Sequence, residues 1–194
     1  MTPEEIRKAV VDAATACVGL RADDQKYLDF VAPGETPERQ AGMSKMSGCA
    51  LTVAGIWRAA GLSDPKLDAP YKDGQAVSRL ISIAKANKAW CQFAADEYPE
   101  PGDMVLIGDN TTTGGFEHVY TVTAPVEGET SFFDTVDGGQ VDANLQCIKA
   151  KRHKWLGKRD KGFSNTDPGS NTSGGRIIIG HVDVTLMPFS DNPY

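Results

Sequence analysis

With 194 residues, 40% of them hydrophobic and 24% charged, the chain can bury a core of its own and fits one globular domain over residues 1–194 better than a disordered or fibrous chain. A formal net charge of −6 excludes nonspecific nucleic-acid binding as the expected role, because an acidic surface repels phosphate. No apolar run reaches the length of a membrane helix, so membrane insertion is not expected, and Met1-Thr2-Pro3-Glu4-Glu5 lacks the basic start and apolar block of a secretory signal.

Thr2-Pro3-Glu4-Glu5 supplies an N-cap, a proline at the first helical position and a capping-box glutamate. Ile6, Val10, Ala13 and Cys17 then recur at helical spacing and predict an amphipathic helix ending near Gly19, with Cys17 a buried structural thiol on its stripe. From Arg21 to Met46, Pro33-Gly34 and Pro37 among polar residues read as a loop around a short helical piece near Asp24 to Phe30. A helix opens at Cys49, carries Val53, Trp57 and Ala60 on one face and stops at Gly61. Asp73 is placed to cap a third helix through Val77, Leu80, Ile81 and Ala84.

Beyond Pro99, Pro101 and Gly102 the texture changes. Asp103 to Ile107, His118 to Thr123, Thr130 to Val136, Leu145 to Lys149 and Arg176 to Leu186 read as strands, with surface loops at Thr111 to Gly115 and Lys158 to Gly175. Helices first (about 1–98) and strands second (about 99–194) predict an α+β fold, N-terminal helices packed on a C-terminal antiparallel sheet.

The four cysteines, at 17, 49, 91 and 147, show no Cys-x-x-Cys spacing, so free thiols and no zinc are expected. Cys49 differs from the others in opening a helix, where unpaired backbone N–H groups and the positive end of the dipole favour thiolate over thiol. The plain alternative is a small buried hydrophobe at a helix start. A nucleophilic cysteine needs a base, and there are three histidines. His153, inside Lys149-Ala150-Lys151-Arg152-His153-Lys154, reads as a surface residue. His181, in an apolar strand, reads as a satisfied core or edge group. His118, which follows a glycine-rich loop and opens a strand, is the best candidate.

The order of a helix-opening Cys49, then a Pro101-Gly102-Asp103 strand start, then His118 on the next strand resembles the CHAP amidase and NlpC-like cysteine peptidases, which share a papain-like core. The resemblance covers roughly Ser47 to Gln140. The context of Cys49 departs from the usual one, and Glu117 stands where a glycine often precedes the histidine. The resemblance implies Cys49 as nucleophile, His118 as base and a polar third residue on the following strand. Asp137 is favoured because it ends that strand before a glycine turn, with Asp134, on the opposite face of a regular pleat, as alternate. The oxyanion would be met by the Cys49 N–H and one further donor, for which Ser47, Gln40 and Tyr27 are candidates by position.

Lys149 to Lys161 holds seven Lys or Arg against one acid, Asp160. The ordinary reading is a solvated face; the functional one is docking of an anionic wall polymer or a protein partner through Lys151 and Arg152, with Trp155 stacking on a sugar. The expectation is thus a cofactor-free cysteine hydrolase cutting an amide bond in a peptidoglycan peptide, an extracytoplasmic substrate for a chain with no export address in this sequence. The alternatives are a catalytically inactive binding module on the same fold, or a deamidase or transglutaminase-like enzyme acting on protein glutamine.

Overall fold

The computed structural model describes residues 1–43, 48–64, 67, 76–92, 98–108, 116–126, 129–159, 162–166 and 176–190. Helix α1 (Pro3–Ala16) opens on the capping box that its sequence predicts. The Glu5 N–H donates to Thr2 Oγ1 at 3.3 Å and the Thr2 N–H donates to Glu5 Oε2 at 2.7 Å, which satisfies two groups that a helix start leaves unpaired. Ile6, Val10 and Ala14 form its buried face, and Cys17 follows at its end, also buried. Asp24 caps α2 (Gln25–Val31) by accepting from the Lys26 N–H.

The stretch read as loop contains one more helix, α3 (Pro37–Met43). Its start, Thr36-Pro37-Glu38, repeats the Thr2-Pro3-Glu4 signature of α1, and the Arg39 N–H reaches Thr36 Oγ1 at 3.5 Å. Then come α4 (Cys49–Ala59) and α5 (Ala76–Ala86); Asp73, the expected cap of α5, lies outside the described residues. Every residue from Cys49 to Trp57 is buried, the pattern of a helix surrounded on all sides, and α4 packs against α1, α2 and α5 and against the sheet.

Seven antiparallel strands follow: β1 (Trp90–Gln92), β2 (Met104–Gly108), β3 (Phe116–Val126), β4 (Glu129–Asp142), β5 (Leu145–Arg159), β6 (Gly162–Thr166) and β7 (Arg176–Val182). They run in the order β1-β7-β2-β3-β4-β5-β6, and β6 pairs back onto β7. Six strands, β2 to β7, therefore close into a circuit, with β1 continuing the free part of the β7 edge. The fold is α+β, with N-terminal helices on an antiparallel sheet. Two strands correct the sequence reading. β1 lies inside the part read as helical, and β6 lies in the stretch read as a surface loop, where backbone pairing to β5 and β7 recruits a polar Gly-Phe-Ser-Asn-Thr segment with no hydrophobic alternation. β7 stops at Val182, and 184–186 form a single 3₁₀ turn capped by Asp183.

Strand alternation sorts the core into two clusters. Met104, Leu106, Val119, Val136, Ile148 and Val182 face the helices, while Val105, Ile107, Tyr120, Val122, Phe133 and Ile178 fill the inside of the circuit. Among the described residues no helix is long and apolar enough to cross a membrane.

Pro101 and Gly102 (φ +98°) are the central residues of a turn closed by the Asp103 N–H on the Glu100 carbonyl at 3.0 Å, the geometry that proline followed by glycine favours. The turn presents Asp103, 1% exposed, to α1. Arg7 donates to Asp103 Oδ1 at 2.8 Å and to the Pro101 carbonyl at 3.0 Å, and its other nitrogen meets Asp183 at 3.1 Å and Glu100 at 2.9 Å. Burial pushes the Asp103 carboxyl up to about 6, against the opposing pull of the Glu100 N–H, Arg7 and the Val184 N–H. His181 Nε2 lies 4.0 Å from Asp103 Oδ2, buried on the β7 side of this anchor.

Candidate active site

Gly48 is the N-cap of α4, and its carbonyl accepts from the Thr52 N–H at 2.9 Å. Strand β4 reaches this helix start through a bulge. Asp137 pairs with Lys149 and Gln140 with Cys147, so Gly138 and Gly139 oppose a single residue of β5, and Gly139 has φ +69°. A Cβ on Gly138 would collide with Thr52 Oγ1 and stand 2.7 Å from the Gly48 carbonyl oxygen. A Cβ on Gly48 would stand 2.7 Å from the Tyr27 hydroxyl and 3.2 Å from the Gly139 nitrogen. Glycine at these positions is what lets β4 lie against the first turn of α4, carrying Asp137 toward Cys49.

His118 enters from β3. Ile107 pairs with His118 but Gly108 with Phe116, so a second bulge sits beside the histidine. Its Nε2 donates to Asp137 Oδ2 at 2.8 Å, and the Cys49 side chain is near enough to interact electrostatically with the ring. Burial alone would lower the basicity of His118; the bonds to Asp137 and Cys49 and the charge on both raise its pKa to about 9. That direction favours the imidazolium form of His118. Asp137 is fully buried. Burial pushes its carboxyl up, but hydrogen bonds and charge from His118 and His153 reverse this and hold it well below the ordinary carboxylate range. The Thr135 hydroxyl donates to its other oxygen at 2.6 Å.

His153 corrects the sequence reading. It is 6% exposed, its Nε2 donates to Asp137 Oδ2 at 3.0 Å, and its ring stacks on Tyr120 with centroids 4.4 Å apart and planes 8° apart. The basic residues around it suggest solvent, yet β5 continues past Lys149 and pairs His153 with buried Phe133, which turns the imidazole inward. Nothing local in Lys149-Ala150-Lys151-Arg152-His153-Lys154 signals this burial, which the pairing with β4 decides.

The other candidates fall in different places. Asp134 lies on the opposite face of β4 from Asp137, in a two-point pair with Arg152 (2.8 and 3.3 Å), so both residues are engaged away from the imidazole. Lys151 is half-buried on β5 and pairs with Thr135; Trp155 pairs with Asn165, and its side chain lies outside the described residues. Ser47 also lies outside them. Gln40 is buried at the corner of α2 and α3, where its amide nitrogen donates to the Ala32 carbonyl (3.2 Å) and Asp29 (3.3 Å) and its oxygen accepts from Gln25 (3.1 Å). The Tyr27 hydroxyl is buried behind Gly48 and has no hydrogen-bond partner among the described residues. Burial first, then the nearby Cys147 and Cys49, pushes its pKa up to about 12.

None of the four cysteines is in a disulfide. Cys17 shows what a structural one looks like: it donates to the Ala14 carbonyl at 3.1 Å, and burial pushes it up to about 12. Cys49 alone among them opens a helix. A thiol, a base whose far nitrogen is held by a carboxylate, and a helix start supplying N–H groups together form the set that acyl transfer uses. Among the described residues no group of three or more His, Cys, Asp or Glu is placed to hold a metal ion. Searches against protein-family models, curated proteins and solved structures find no match to the chain.

Proposed function

We propose that the protein is a cysteine hydrolase that cleaves an amide bond in a peptidoglycan peptide. The observation that carries the reading is the chain of contacts from Cys49 through His118 to buried Asp137. The choice of substrate follows the resemblance to CHAP and NlpC-like hydrolases. The Cys49 thiol gives its proton to Nδ1 of His118, and the thiolate attacks the amide carbon, forming the S–C bond as the carbonyl pair moves to oxygen. The Cys49 N–H at the start of α4 is the natural first donor to that oxyanion. Collapse expels the amine, which takes the proton from His118, and leaves a thioester. Water then attacks the thioester, its proton passing to His118, and departure of the carboxylate restores the thiolate. Asp137 keeps the hydrogen of His118 on Nε2 throughout, so that Nδ1 remains the working nitrogen.

The test is Cys49→Ala on purified peptidoglycan fragments, with new amino termini counted. Hydrolysis should fall to background while the thermal melt stays near the parent's. Cleavage that survives in this variant rejects the mechanism. Unchanged fragment binding by a parent that never cleaves would assign the site to recognition instead.

A further inference from the structure

We propose that His153 is a positioning residue of the Cys49 site, donating from Nε2 to the same Asp137 oxygen that takes the Nε2–H of His118 and so fixing the carboxylate that orients the base. This rests on the cysteine-hydrolase reading. An ionised carboxylate only accepts, so each imidazole nitrogen within hydrogen-bond distance of Oδ2, His118 at 2.8 Å and His153 at 3.0 Å, must carry the hydrogen. Oδ2 then has both lone-pair sites used, and Thr135 holds Oδ1.

The ring of His153 is itself held. It lies flat on Tyr120, which in turn tilts toward His118 with centroids 6.2 Å apart on the same strand. Tyr120, His153, Asp137 and His118 thus close a loop across the adjacent strands β3, β4 and β5. Asp137 cannot turn away from His118 without also giving up His153 and Thr135. The other groups around the loop are Cys49 from α4 and, on β5 itself, Lys149 and Lys151, the register partners of Asp137 and Thr135.

The consequence lies in the proton transfer. When His118 takes the thiol proton, Asp137 must face the new positive charge. A carboxylate with one donor fewer spends less time in that orientation, so turnover falls while substrate binding does not. A hydrogen bond to a charged group supports a loss in kcat of about 10- to 100-fold when its donor is removed.

The experiment uses His153→Phe, which keeps a ring on Tyr120 but has no N–H, and His153→Gln, which keeps an N–H donor but has no ring. Each is assayed for kcat and KM and for the pH dependence of Cys49 alkylation, read by peptide mass. The proposal expects the Phe variant to lose kcat by that factor at nearly constant KM, with Cys49 labelling displaced to higher pH because the imidazolium is less well held, and the Gln variant to stay close to the parent. A purely structural role predicts the reverse order, and that result overturns the proposal. Should either variant fail to fold, nitrogen-15 NMR of the unaltered protein decides: a His153 ring with its hydrogen on Nε2 supports the proposal, and one carrying it only on Nδ1 overturns it. If parental Cys49 labels no faster than Cys17, the hydrolase reading falls and takes this proposal with it. If Cys49 labelling is fast and His118-dependent but the Phe variant matches the parent, only the role of His153 is lost.

Discussion

Asp103, in the turn that leads into β2, and Asp137, on β4, are both buried aspartates, and they are held in opposite ways. Asp103 has a full guanidinium against it, yet burial wins and its carboxyl rises to about 6. Asp137 has no arginine among its described partners, yet its carboxyl lies well below the ordinary range. The difference is in how donors are shared. At Asp103 burial outweighs the Glu100 and Val184 N–H groups and an Arg7 whose one charge is shared with Asp183 and Glu100, whereas at Asp137 two imidazoles and a hydroxyl converge and outweigh burial. The first arrangement fastens a helix to a turn; the second holds an ionised carboxylate against His118.

The comparison breaks if the two aspartates respond alike to loss of their partners. Asp137→Asn should cut hydrolysis on the order of 10⁴-fold, the scale seen when a triad carboxylate is neutralised and the base adopts the wrong tautomer. Initial rates on a peptidoglycan fragment measure it, and a small effect would demote Asp137 to a packing residue. Arg7→Met, which leaves a buried carboxylate with its cation gone, should cost about 4 kcal/mol in urea unfolding while Cys49 labelling keeps the parental pH profile.

Opposite shifts also give opposite pH slopes. Asp103 has a folded value above the unfolded one, so its contribution is fully present below about pH 4 and is lost as pH rises through about 6. Asp137 is shifted down, so its contribution is present above about pH 4 and lost on acidification. The stability of the parent relative to Asp103→Asn should therefore fall by up to about 3 kcal/mol between pH 4 and pH 7, and a flat difference would show that Arg7 keeps Asp103 ionised after all. The smallest effect is expected for Thr135→Val, which removes one donor to Asp137: about 1 kcal/mol, or roughly a sixfold loss of kcat, checked by the same rate assay.

What could be read in the sequence was local. Thr2 and Glu5 announce α1 within four residues, Pro101-Gly102 announces its turn, and Cys49 sits where an apolar helix starts. The glycines after Asp137 read as a turn that ends its strand, but β4 runs on to Asp142 and they form a bulge that the close approach to α4 demands. The misses were set by partners distant in the chain. The burial of His153 is decided by pairing with Phe133 across the β4–β5 ladder, and local charge argued the other way. The polar segment of β6 is a strand because β5 and β7 offer edges on both sides. Helix α3 is the exception, since Thr36-Pro37-Glu38 spelled the same start as α1 and was outweighed by its surroundings.

Ala143 and Asn144, both with positive φ (48° and 68°), make the tight hairpin that joins β4 to β5, and β3 precedes β4 directly. His118, Asp137 and His153 therefore belong to consecutive strands, with partners 19 and 16 residues apart, while Cys49 comes from a helix much earlier in the chain. Short loops close faster than long ones, so in refolding the meander with its two imidazoles and carboxylate is favoured to assemble ahead of the long-range docking of α4. A newly made chain is thus expected to hold His118, Asp137 and His153 together before Cys49 reaches them, so that any dependence of Cys49 reactivity on His118 is gained only when α4 docks.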